Sequence, residues 1–408
     1  MTQLARTLGV VRSMGIGVAA MLGAGVFFVW APAYELAGSW ILVSLAIAAV
    51  IATINALVTT QLAVNVPQSG GIYAFGRHYR GPFTGFVAGW MFLTGKTASV
   101  AAIALIAASY LWPDGARLLA ACLLVVGTLV TASGIRQTAW LSLTIAAIVT
   151  VGLVSLVVLS FTNTPAVPAV VIASRPEPLS VLTAAALMFF AFAGYARMAT
   201  LAEEVVDPRR TLPRAIGVAL AVVLALYALV GWGVSRVLPG YSGEFDTPLR
   251  VLAPGEFPAF VTVLAVVACV GSLLAILAGL SRTALQMGRE GDLPRLLGRV
   301  SDKTGGPLVA EISVGAVAVI AVLALDVTAL VAVSGAGVLT YYAIGHWSAL
   351  AQTREERLVW PAVPVVGLLL CVVLVFTLPW QSLVVAAVSL LVGAGWFVVA
   401  DRHRQRAG

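Results

Sequence analysis

The sequence is a succession of apolar runs, each about 20 residues long, separated by short segments that hold nearly all of the charge. A run of that length crosses ~30 Å of hydrocarbon as an α-helix, and a helix satisfies its own backbone groups where no water can. Twelve such runs lie near residues 10–36, 40–64, 83–111, 116–134, 138–161, 179–202, 214–238, 258–281, 308–325, 327–350, 359–377 and 380–400. A soluble reading fails on composition. Of 408 residues, 61% are apolar and 10% charged, and single cores stop growing beyond about 250–300 residues. The expected fold class is an all-α polytopic membrane protein of twelve transmembrane helices embedded in a lipid bilayer.

An even number of spans places both termini on one side. Eighteen of the 24 Lys and Arg residues fall in segments on that side; Arg117, Arg175, Arg236 and Arg250 fall opposite, and Lys96 and Arg197 lie within spans. The positive-inside rule makes both termini cytoplasmic in a multi-pass protein of the cell membrane. The same scatter argues against a nucleic-acid partner, which needs basic residues clustered on one folded face. Cys122, Cys269 and Cys371 lie in apolar runs and offer neither a disulfide framework nor metal spacing. No metal and no cofactor is expected. Arg6, Arg12 and Ala31-Pro32-Ala33 mimic a cleavable signal, but the apolar stretch exceeds a signal core and its removal would turn the basic loops outward. It is read as a span.

Two spans carry glycine near mid-depth: Gly23-Ala24-Gly25-Val26 in the first and Ala191-Phe192-Ala193-Gly194-Tyr195 in the sixth. Unwound backbone is tolerated in a bilayer only where it lines a cavity or is buried in protein, so two such breaks suggest one central site. Close helix packing by small residues is the competing explanation. Spans 1 and 6 are the first helices of two five-span blocks, which favours the site.

Further segments follow: Pro67-Gln68-Ser69-Gly70-Gly71-Ile72-Tyr73 through Arg77 with Gly81-Pro82-Phe83; Glu203-Glu204-Val205-Val206-Asp207-Pro208 through Ala215; and Ser281-Arg282 with Gly288-Arg289-Glu290-Gly291-Asp292-Leu293-Pro294. With the two breaks, they make the chain resemble the amino acid/polyamine/organocation permeases, which share the inverted-repeat fold of the sodium-coupled leucine transporter. The resemblance covers nearly the whole chain. It implies a first repeat in residues 1–161, an inverted second repeat in 179–350, a peripheral pair in 359–400, and broken helices 1 and 6. Many relatives place a glutamate two residues after the span 6 glycine. This chain has Ala196 and then Arg197, so substrate inferences built on that glutamate do not transfer.

An amino acid or related amine presents a carboxylate and an ammonium group. N–H groups from Gly25 onward suit the carboxylate, while carbonyls near Leu22 and Ala191 to Ala193 suit the ammonium. Phe192 and Tyr195, flanking the span 6 break, are candidate hydrophobic walls or a gate, with ordinary helix packing as the competing explanation. The candidate substrate site is thus Leu22, Gly23, Ala24, Gly25, Val26, Ala191, Phe192, Ala193, Gly194 and Tyr195. Lys96, near mid-depth of span 3, is functional by default. It could replace a sodium ion and couple transport to protons, anchor an anionic substrate side chain, or serve as a structural cation on backbone carbonyls. No histidine competes, because His78, His346 and His403 fall at or beyond the cytoplasmic ends of spans. Arg197 with Glu203 or Glu204 reads as a gate or internal salt bridge, with direct substrate contact as the alternative. Arg12, and Arg282 with Glu290 and Asp292, read as solvated loop charges, with closure of the cytoplasmic mouth as the alternative.

The expected function is secondary active, proton-coupled amino acid transport by alternating access. An exchanger for an acidic substrate held by Lys96 or Arg197 is the alternative within transport, and a non-transporting membrane sensor is the alternative from another class. A sensor would usually need a soluble output domain, and the longest loops have only about 20 residues. An enzyme would need convergent acid, base or nucleophile groups at depth, and the spans supply none.

Overall fold

The computed structural model describes residues 8–68, 70–133, 139–161, 177–195, 198, 205–237, 247–253, 258–302 and 304–407. Among them the secondary structure is helical apart from one isolated bridge between Leu8 and Val205. The expected first span comes in three pieces, α1 (Val10–Met21), α2 (Gly25–Phe28) and α3 (Trp30–Ala37). Then follow α4 (Ile41–Asn65), α5 (Ile72–Arg80), α6 (Pro82–Leu111), α7 (Ala116–Ala132), α8 (Ala139–Ser160) and α9 (Pro178–Phe192). The remainder consists of α10 (Pro208–Val237), α11 (Pro258–Arg289), α12 (Leu308–Ala324), α13 (Val327–Ala349), α14 (Ala362–Thr377) and α15 (Trp380–Ala407).

Among the described residues, nine helical stretches are long and apolar enough to cross a membrane. Three shorter apolar helices, Pro178–Phe192, Leu308–Ala324 and Ala362–Thr377, stand where the sixth, ninth and eleventh spans are expected. The outward faces are apolar: Leu129, Ile320, Phe376 and Leu391 are each more than 60% exposed. Apolar surface on this scale needs a non-aqueous surrounding. The chain is a polytopic membrane protein.

At the centre α6 packs along α13 and α11, with most of its length buried. Small residues set the distance: a Cβ on Gly337 would sit 2.7 Å from the Gly95 Cα, so these two helices meet backbone to backbone. α5 lies across the end of the bundle, and Gly81 with φ of +96° turns the chain into α6, whose first residue is Pro82. Tyr73 and Arg77 of α5 reach Asp292, which follows α11. The Arg77 Nη1 to Asp292 Oδ2 distance is 2.6 Å and the Tyr73 hydroxyl donates to the same oxygen at 2.8 Å. Trp396 Nε1 donates to the Asp292 carbonyl at 2.8 Å and ties α15 to the same point. Burial, and then the Asp292 charge, pushes the Tyr73 phenol up from its ordinary value. Asp292 has no solvent exposure. This corrects the reading of Asp292 as a solvated loop charge, because α5 folds back over it and supplies the cation.

Candidate functional site

Both expected breaks fall where the glycines are. α1 stops at Met21 and α2 starts at Gly25; α9 stops at Phe192, and residues 193–195 form a turn. A glycine inside a helix costs about 1 kcal/mol relative to alanine, which weakens the helix there, but packing decides the residue type. A Cβ on Gly25 would run into the Cα of Ala191, and one on Gly194 into the carbonyl of Ala20. The two breaks are therefore pressed together with backbone against backbone. This contact by itself requires glycine at 25 and 194.

Between them lies a cavity of about 20 Å³. Gly23, Ala24 and Gly25 line it from the first break, and Ala191 and Gly194 from the second. Lys96 and Ser99 of α6 and Ser272 of α11 also reach it, as do Phe190 and Ile276. Such a volume takes about one water molecule. An amino acid requires the lining helices to part, so the site stands closed. Among its described lining residues the one charged side chain is Lys96.

Lys96 is 6% exposed, and its Nζ donates to the Ala193 carbonyl at 3.0 Å. Tyr227, from the middle of α10, donates its hydroxyl to two carbonyls, Met21 O at 2.6 Å and Ala191 O at 3.0 Å. One phenol thus joins the ends of α1 and α9. The carbonyls that the sequence suggests for a substrate ammonium group are, in the closed site, held by the protein's own donors. Ser99 and Ser334 hydroxyls bond at 2.6 Å across α6 and α13, and Tyr110 donates to the Phe27 carbonyl at 2.9 Å.

Six of the candidate residues meet at the cavity, namely Gly23, Ala24, Gly25, Ala191, Gly194 and Lys96. Leu22 and Val26 are buried beside it without lining it, and Ala193 contributes its carbonyl. Phe192 turns to Tyr227, with ring centroids 4.9 Å apart. Tyr195 stacks on Tyr342 at 5.3 Å, so neither aromatic forms a wall in this state. Arg197, Glu203 and Glu204 lie outside the described residues. Tyr227, Ser99 and Ser272 were missed by sequence reasoning. The available signal was a hydroxyl at mid-span, which is costly in an apolar surrounding until it finds a partner.

A family model described as "Amino acid permease" matches residues 8–399. The chain belongs to the amino acid permease family. The permease is 43% identical over 413 residues to an uncharacterized transporter of Mycobacterium tuberculosis, the match covering 99% of this chain and 94% of that protein. A chloroplastic cationic amino acid transporter 7 of Arabidopsis thaliana is 27% identical, covering 93% of this chain and 71% of its own length. Human cationic amino acid transporter 4 is 26% identical over 84% of the chain and 59% of its own length. These matches bear out the resemblance drawn from the breaks and loop segments.

Proposed function

We propose that the permease is a secondary active transporter that moves an amino acid or related amine across the cytoplasmic membrane by alternating access, coupled to protons through Lys96. In this reading all twelve apolar segments span the bilayer, both termini are cytoplasmic, and residues 1–161 and 179–350 form two inverted repeats beside a peripheral pair in 359–400. The observation that carries it is the placement of Lys96. A lone ammonium group bonded to the carbonyl end of α9, beside a cavity shared by both breaks, sits where a cation can be held or released as the helices part. Loss of its proton would leave a neutral amine whose bond to the Ala193 carbonyl lacks charge assistance, which would loosen α6 from the break. Substrate carboxylate bound near Gly25 and ammonium bound at the carbonyls of Met21 and Ala191 would take over contacts now internal to the protein.

Two of the relatives are named as cationic amino acid transporters. The cavity favours a substrate with a neutral side chain, because no described lining residue is an acid that could receive a second positive charge. A second reading, exchange of an acidic amino acid whose side chain replaces the Ala193 carbonyl on Lys96, is favoured by the same lone charge.

Lys96→Met in proteoliposomes tests both. The expected result is retained substrate binding and exchange, lost accumulation under a pH gradient, and wild-type uptake that ignores a sodium gradient. Undiminished pH-driven accumulation in the variant, or sodium-driven uptake by the wild type, overturns the coupling role. Selective loss of binding for aspartate and glutamate selects the acidic-substrate reading. Thermal stabilisation of the purified protein by a panel of amino acids and amines identifies the ligand, since binding to the folded state raises apparent stability.

A further inference from the structure

α8 and α11 touch without closing on each other along their shared length. Their contact is Gly152 against Leu264, where a Cβ on the glycine would lie 2.5 Å from the Leu264 Cδ1. Around it lies a groove of about 480 Å³, lined also by Ala147, Val151 and Ser155 from α8 and by Phe260 and Val263 from α11. That volume falls among those of small-molecule sites, about 300–1,000 Å³. The groove is not the closed cavity between the breaks, with which it shares no lining residue.

Val151 and Val263 are 65% and 63% exposed, so the groove opens sideways, toward the non-aqueous surrounding that the outward faces require. Along α8 its lining runs from Ala147 to Ser155, a rise of about 12 Å. Ser155 stands near the α8 end at Ser160, and Phe260 near the α11 start at Pro258. Half of a ~30 Å hydrocarbon core is about 15 Å, so the groove reaches from near one boundary to mid-depth and covers a single leaflet. Among its lining side chains Ser155 alone carries a polar atom. Thr144 on the same helix donates back to the Trp140 carbonyl, whereas the Ser155 hydroxyl makes no hydrogen bond among the described residues. A hydroxyl without a partner is costly in an apolar surrounding.

We propose that the α8–α11 groove is a lipid site, holding one phospholipid of the leaflet opposite the termini. An acyl chain lies along Val151 and Ala147 toward mid-depth, and an ester oxygen at the boundary end accepts from the Ser155 hydroxyl. The opening and the lining select this occupant. A water-soluble ligand has no path to an opening that faces hydrocarbon. A helix of a second copy does not fit, because 12 Å of helix about 10 Å across occupies roughly 900 Å³, about twice the groove. A hydrocarbon chain is narrow enough to enter, and its ester supplies the one acceptor that the groove lacks. Both walls pack on α1, the helix that ends at the first break, and α11 also carries Ser272 to the closed cavity. The bound chain therefore sets the spacing between two supports of the break. This inference takes from the proposed function only the direction of the spans.

The test is native mass spectrometry of the whole chain in mild detergent with added dioleoyl phosphatidylcholine, whose lack of net charge keeps the basic segments from selecting it. The expected result is one retained lipid on the wild-type permease. Ala147→Phe fills the groove from an exposed position, and Ser155→Ala removes the donor. Each should weaken retention by about fivefold or more, the worth of one neutral hydrogen bond. Ile320→Phe, as exposed on α12 but outside the groove, should leave retention unchanged. Phosphatidylcholine with a diazirine on one acyl chain gives the location: adducts are expected within residues 144–155 or 260–267. Should a groove variant fail to fold, this label on wild-type protein decides the matter. Retention in either groove variant equal to wild type, adducts spread evenly over the outward-facing helices, or a dimer that Ala147→Phe dissociates would overturn the proposal. None of these readouts involves transport, so failure here is distinct from failure of the Lys96 reading, which the proteoliposome assay reports.

Discussion

Removing one oxygen atom, in Tyr227→Phe, should weaken both breaks at once. The Tyr227 ring is 1% exposed and packs on Phe192, contacts that phenylalanine keeps. What disappears is one O–H donor shared by Met21 O and Ala191 O at 2.6 and 3.0 Å. A buried carbonyl stripped of its donor costs about 1–3 kcal/mol. Membrane proteins of this size generally inactivate irreversibly, so the quantity to measure is a half-life. If the bond is lost before the rate-limiting step, each 1.36 kcal/mol is tenfold, giving a half-life shorter by about 5- to 150-fold. The assay is loss of monodisperse protein on size exclusion after incubation in detergent at one fixed temperature. Tyr227→Leu, which also loses the ring, should be worse. A Tyr227→Phe half-life within twofold of wild type would show that the phenol does not hold the breaks together.

Asp292→Ala should destabilise the permease far more than Glu290→Ala. The Asp292 partner Arg77 is left beside an empty buried position, a loss of about 3–5 kcal/mol for a broken buried pair, whereas the Glu290 contact is 3.4 Å long and partly exposed and worth at most about 1 kcal/mol; thermal inactivation of the two variants ranks them. The Thr353 N–H holds the Glu356 carboxyl below the usual carboxylate range. Its contribution is therefore complete above about pH 4.3 and lost as pH falls through the lower folded-state value, so Glu356→Gln should flatten the acid limb of a stability profile below about pH 5. Single cysteines at Thr304 and Ser242, in a background lacking native cysteines, should label from opposite faces of the membrane; labelling of both from outside would refute the twelve-span arrangement.

Among the described residues, nine membrane-length helices and the two breaks were legible because they rest on local properties: run length against bilayer thickness, and glycines midway along a run. Lys96 was legible for the same reason, as a charge where charge is expensive. What the sequence hid is pairing. Tyr227 is one tyrosine among nine, and nothing in its neighbourhood tells that its hydroxyl reaches two carbonyls on other helices. Asp292 looked solvated because it lies in a polar loop, while the residues that bury it come from α5 and α15. His346, which is buried against Asn55 of α4, was set aside on its distance from a span end, which says how deep a residue is along its own helix but not what covers it. Asn55, an amide at the centre of an apolar run, was the available clue that a polar partner had to come from elsewhere. Gly25 and Gly194 illustrate the opposite limit. Their positions were read from sequence, but the contacts that require glycine there, Ala191 and Ala20, emerge only when the breaks are brought together.

The constant separation of 291 residues between Asn55, Gln61 and Asn65 and their partners, His346, Gln352 and the Glu356 carbonyl, has a mechanical consequence. Pairs at one fixed offset along a stretch of α4 lock its phase as well as its distance. A slide of α4 by the rise of one residue, about 1.5 Å, would stretch all three contacts together. Three polar pairs spaced along α4 thus tie it to the end of α13 and to residues 350–356 beyond it, and any relative slide of these parts gives up several hydrogen bonds at once.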